Sequence, residues 1–195
     1  HQGWTIELKR ALNHGVLPEG YYAMVDMPEQ PRGVEDDRAT YARKANRLSV
    51  YDPAARRVAI VAAVSPGHKD TPERFNRFVG GLVAALRCEV HVSVVDLFPP
   101  TPAAPNTIET AIRNQLDGLP HVVREAGKPL TVVAFEATDP VAVYLDPVSV
   151  GGPLADMPLF LAPGRSVNVP LEDTYRAEWA VTPRRLQDII DPPAG

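Results

Sequence analysis

Residues 57–97 constrain the fold more than any other stretch of the chain. Val58-Ala59-Ile60-Val61-Ala62-Ala63-Val64 is apolar at every position. A strand with one wet face alternates, so an unbroken apolar run predicts a strand buried on both faces. Ser65-Pro66-Gly67-His68-Lys69-Asp70 then interrupts it with a polar loop. Thr71 can cap a helix and Pro72 suits its first turn, while Phe75, Phe78, Val79, Leu82 and Leu86 fall on one helical stripe. Val90 to Leu97 reads as a second strand, with Asp96 near its end. Strand, helix and strand in this order predict a crossover between parallel strands, with a right-handed connection.

The flanking segments read more simply. Trp4 to Leu12 predicts a helix with Trp4, Leu8, Ala11 and Leu12 on one face, stopped by Asn13-His14-Gly15. Tyr21 to Val25 predicts a short strand. Residues 26–46 carry Pro28, Pro31 and Gly33 and then mixed charge, and read as a solvated loop leading into a frayed element. Leu48–Tyr51 and Arg57–Val64 form two strands around the turn Asp52-Pro53-Ala54-Ala55. Phe98 to Pro105 holds four prolines and is a stiff loop. Asn106 with Glu109 resembles a capping box, opening a helix on Ile108, Ile112 and Leu116 that Gly118 closes. Leu130–Phe135 and Val141–Leu145 predict a second strand pair. Pro147 to Pro170 is punctuated by Pro and Gly around an apolar knot at Met157, Leu159, Phe160 and Leu161. A helix from Leu171 carries Tyr175 and Trp179, and Pro183 starts a further turn through Leu186, Ile189 and Ile190. Phe160 and Trp179 read as core.

At 195 residues, 45% apolar and 23% charged, the chain has material for one globular domain. A net charge of -4 argues against nucleic-acid binding by bulk charge, though a local basic groove stays compatible with it. Cys88 is the only cysteine, which excludes an intramolecular disulfide and a Cys-rich zinc site. No apolar run approaches the roughly 20 residues that cross a membrane, and we expect a cytoplasmic protein. The sequence opens on His1 and not Met, so it reads as a processed or partial chain. Phosphate-loop, dinucleotide, zinc-protease and nucleophile-elbow signatures are absent. His14 and His121 read as solvated, and His91 as pointing outward from its strand.

A set of segments carries a more specific likeness. Trp4, Ala11-Leu12-Asn13, Leu17-Pro18-Glu19-Gly20-Tyr21-Tyr22-Ala23, Val64-Ser65-Pro66-Gly67-His68-Lys69 and Val94-Val95-Asp96-Leu97 resemble a bacterial family, domain of unknown function 4058. Asp156-Met157-Pro158-Leu159-Phe160-Leu161 and Val169-Pro170-Leu171 with Tyr175 resemble its tail. The resemblance covers nearly the whole chain, and it implies a core similar to the PD-(D/E)XK, restriction-endonuclease-like fold. The expected architecture is α/β in one domain, 1–195. A mixed central sheet flanked by helices forms a nuclease-like core over 1–97 (helix, hairpin, strand, helix, strand). A Pro-rich C-terminal extension over 98–195 packs on it.

In active enzymes of that fold, an acid pair on neighbouring strands holds Mg²⁺, and a Lys helps position the attacking water. Mg²⁺ is a hard ion that takes oxygen ligands and bridges to phosphate. The chain departs from this pattern at Ala62, where the family resemblance expects a glutamate, and a methyl group cannot ligate a metal. We therefore expect a non-catalytic, degenerate nuclease-like module that binds or scaffolds, with no cofactor. The sequence names no partner; a protein partner fits a scaffold role. The alternative is an Mg²⁺-dependent phosphodiesterase acting on DNA or RNA through a relocated acid. Lys69 and Asp96 are then the catalytic candidates, and Glu7, Asp36 and Asp37 the metal candidates. Each also has a plainer reading: Glu7 as an exposed helix charge, Asp36 and Asp37 as loop surface, Lys69 as a solvated loop residue, and Asp96 as a cap for loop amides.

Overall fold

The hairpin that organises the sheet begins at a turn made by one side chain. Asp52 Oδ1 accepts from the N–H groups of Ala54 and Arg56, each at 2.9 Å, so the carboxylate closes the turn as a backbone carbonyl would. On either side run β2 (Arg47–Tyr51) and β3 (Arg57–Ala63), antiparallel, with Leu48 opposite Val61 and Val50 opposite Ala59. This is a computed structural model, and it describes residues 2–26, 47–116, 119 and 127–191.

Six strands form the central sheet in chain order: β1 (Tyr22–Val25), β2, β3, β4 (His91–Asp96), β5 (Leu130–Glu136) and β6 (Ala142–Val148). Only β3 and β4 are parallel, joined by helix α2 (Pro72–Arg87) as the apolar run and the helical stripe predict. Every other neighbouring pair is antiparallel. The fold is thus mixed α/β, with a mostly antiparallel sheet and flanking helices. The segment after residue 97 supplies two of the six strands.

The sheet separates two cores. Ala59, Val61 and Ala63 face one layer, built from helix α1 (Gln2–Ala11), the hairpin of β7 (Met157–Ala162) and β8 (Arg165–Val169), and helix α4 (Leu171–Val181). Ile60, Ala62 and Val64 face the other, built from α2 and helix α3 (Ile108–Arg113). Leu8, Leu12, Leu82, Ile112 and Phe135 are fully buried in these layers, and each such side chain contributes about 1.5–3 kcal/mol. Trp4 closes the first layer: its Nε1–H donates to Thr174 Oγ1 at 3.0 Å across 170 residues of sequence, and its ring meets Tyr175 edge-on.

Local chemistry explains the element ends. Thr71 Oγ1 accepts from Arg74 N–H and opens α2. Helix α1 stops in a turn over Leu12–Val16 where Gly15 takes a φ of +132°, a conformation side-chain-bearing residues avoid. Asn13 then bonds both backbone groups of Ala23, tying the helix end to β1.

Several expectations need correction. Thr107, not Asn106, caps α3, its hydroxyl accepting from Thr110 N–H. The punctuated stretch around Met157 is a paired hairpin, and its backbone is tied to the sheet by Ser93 Oγ donating to Pro158 O and by Gly164 N–H donating to Glu136 Oε1. Phe160 is core, but Trp179 is only half-buried. Leu186, Ile189 and Ile190 lie on a last helix, α5 (Arg184–Ile190), and are exposed. The irregular stretch, apart from Asp26, lies outside the described residues, as do Gly118 and His121. No helix among the described residues is long and apolar enough to cross a membrane.

Candidate functional site

The C-terminal ends of β3 and β4 are where the sequence places its chemistry. After Ala63 the chain leaves the sheet through Ser65 and a short 3₁₀ turn, Pro66–His68. His68 folds back so that its Nδ1 accepts from Ser65 N–H at 3.1 Å and lies 3.4 Å from Ser65 Oγ. Its ring stacks on Phe78 of α2, with centroids 4.1 Å apart. Burial, with the Arg47 guanidinium nearby, pushes the imidazole down to about 4, against the opposing pull of Asp70. His68 is therefore neutral at pH 7, with its remaining proton on Nε2.

Next to this turn Lys69 and Asp96 meet. Lys69 Nζ donates to Asp96 Oδ2 at 2.8 Å and lies 2.8 Å from Oδ1. The same ammonium donates to Phe98 O and reaches Pro99 O, while Phe98 N–H donates to Asp96 Oδ1. Thr101 Oγ1 donates to Lys69 O, so the proline-rich loop is held at its start and again at Thr101. The two side chains are 1% and 2% exposed, which corrects the reading of Lys69 as solvated. Burial pushes the Asp96 carboxyl up, and the Lys69 ammonium opposes it. Sequence analysis singles out both residues and the structure brings them together, but in a sealed clamp whose donors and acceptors serve the loop.

The position of the expected glutamate has the opposite character. Ala62 is fully buried in the apolar layer under α2, among Ile60, Val64, Val79 and Leu82. Its partner across the hairpin is Arg47. The Arg47 guanidinium lies over the Phe78 ring, 5.9 Å from its centroid, and beside Gly81. Burial lowers its pKa and Asp26 raises it. Where Mg²⁺ needs two carboxylates on facing strands, the chain presents a methyl group and a cation.

Of the remaining candidates, the described one does not converge there. Glu7 sits on α1, in the layer on the other side of the sheet, and pairs with Arg10 at 2.9 Å. Asp36 and Asp37 lie outside the described residues. Among the described residues no three His, Cys, Asp or Glu side chains gather as a metal site requires. Ala62 and its partner Arg47 do not fit Mg²⁺.

Two features escaped the sequence reading. Arg47 gave no signal, because its partner depends on a register shift between Val50 and Tyr51. His91 does not point outward. It is buried, its Nδ1 accepts from Ala137 N–H at 2.9 Å, and its ring tilts against Phe160. It lines a groove of about 1010 Å³ at the opposite end of the sheet, together with arginines from β3 and α2. A smaller cavity of about 440 Å³ lies between Leu97, Leu130, Val148 and Tyr175. Compared with known proteins, the chain matches no family model, no curated protein and no solved structure.

Proposed function

We propose that this chain is a non-catalytic, degenerate relative of the restriction-endonuclease-like fold that acts as a binding or scaffold module. The order of elements supports the fold: a helix, three antiparallel strands, a crossover helix and a parallel strand. Fold does not confer chemistry, which depends on the site. One observation carries the functional reading. The strand position that would hold the metal-binding acid is Ala62, sealed in an apolar layer and paired with a guanidinium. The sealed Lys69–Asp96 clamp points the same way, since a group that positions an attacking water must reach it.

The test is titration calorimetry with Mg²⁺ and Mn²⁺, alongside nicking of supercoiled plasmid. We expect no heat beyond dilution and no nicking. Heat from the wild type that disappears in Asp36→Ala or Asp37→Ala overturns the reading in favour of an Mg²⁺-dependent nuclease with a relocated acid.

A further inference from the structure

The groove of about 1010 Å³ lies away from Ala62 and from the Lys69–Asp96 clamp. It forms where the starts of β3 and β4 meet the end of α2, the β5–β6 turn and the tip of the β7–β8 hairpin. Its volume is at the upper end of small-molecule pockets, which run to about 1,000 Å³.

Its three arginines are not equivalent. Arg56 is spent on Asp52, to which Nε donates at 2.8 Å and Nη2 pairs at 2.7 Å. The Arg57 guanidinium has no hydrogen bond or ion pair among the described residues. Arg87 donates one N–H to Gln115 O and keeps the other donors of its guanidinium. Two cations with free donors therefore line one cavity. Glu89 and Asp139 also line it and form no ion pair with either arginine among the described residues.

Apolar side chains complete much of the lining, with Leu86 from α2 and Leu161 from β7. His91 adds a neutral donor. Its Nδ1 is already taken by Ala137 N–H, so Nε2–H is the ring's remaining polar group. Arginine forks match the planar oxygens of carboxylates and phosphates. The two acids repel a long polyanion, which disfavours nucleic acid and leaves a compact ligand with one anionic end.

We infer that this groove binds a small organic anion, its carboxylate or phosphate held by Arg57 and Arg87 and its apolar body lying against Leu86 and Leu161. The inference goes beyond the reading of Ala62 and is independent of it. Cys88, the only cysteine of the chain, is exposed and lines the same groove. A thiol reagent therefore reports on this place alone.

The experiment is the rate of Cys88 alkylation by iodoacetamide in the presence of octanoate, octyl phosphate or octylammonium. Both anions, or one of them, slow labelling saturably, and the cation of equal length does not. The more protective anion identifies the headgroup. In Arg57→Gln and in Arg87→Gln, half-protection requires about tenfold more anion, the loss of one charge-assisted hydrogen bond. Each variant is compared with its own unprotected rate, and an unchanged thermal melt confirms its fold. Absence of protection by both anions overturns the inference. So does equal protection by octylammonium, or unaltered half-protection in the variant lacking both arginines.

Discussion

Lys69 and Asp96 are worth more as a pair than either is alone. Each charge has lost its water, and each is compensated by the other and by loop carbonyls or amides. Lys69→Met leaves a buried carboxylate and two carbonyls uncompensated, and should cost about 3–5 kcal/mol in urea unfolding. Adding Asp96→Leu to it should restore most of the loss, because the buried charge disappears with its partner. His68 gives the second prediction. Its folded value, about 4, lies below the ordinary 6.5. Between those values the unfolded chain binds a proton that the folded chain refuses. The stability His68 contributes is therefore complete above pH 6.5 and is lost as pH falls toward 4, by about 3 kcal/mol. Asp96, with a raised value, acts in the opposite sense. The measurement is thus the difference between wild type and His68→Gln in unfolding free energy across this window, which should shrink steadily as the acid limb is approached. At this scale the sequence identifies the residues and not their surroundings. Nothing local to Lys69 says that three loop residues, Phe98, Pro99 and Thr101, fold over it.

Helices and strands were legible where a periodic pattern ran long enough. The apolar run of β3, the stripe of α2 and the strand at Val92 specify the crossover without help from elsewhere. Short elements were less legible, because neighbouring residues compete for the same role. Asn106 and Thr107 are both good caps, and the structure uses Thr107. Thr107→Ala should therefore lower stability by about 1 kcal/mol, and Asn106→Ala should change it by a few tenths, a contrast that thermal melts resolve. The hairpin register shows the same limit. Tyr51 pairs with Arg57, and counting on from that pair would set Ala62 against Asn46. One irregularity at Val50/Tyr51 moves the partner to Arg47, which changes the chemistry of the candidate site from an amide to a cation. A bulge leaves no periodic trace, so the most informative neighbour of Ala62 was invisible in one dimension.

At the scale of the molecule, the sheet divides the chain's chemistry as well as its core. Glu7 lies on the α1 side, Ala62 on the α2 side, and the anion groove at the far end of the strands. Linear sequence could not show that a sheet stands between Glu7 and the position it was expected to serve. The order of the strands has a consequence for synthesis. Within the six-stranded sheet each later strand pairs with the one made just before it, so a chain leaving the ribosome can add strands to the growing sheet in sequence. Helix α1 is the exception. Trp4 is made 170 residues before Thr174, yet it finds its hydrogen-bond partner only when Thr174 emerges. Until then the indole lacks that partner and the edge-on ring of Tyr175, and a nascent or C-terminally clipped chain offers it to chaperones and proteases.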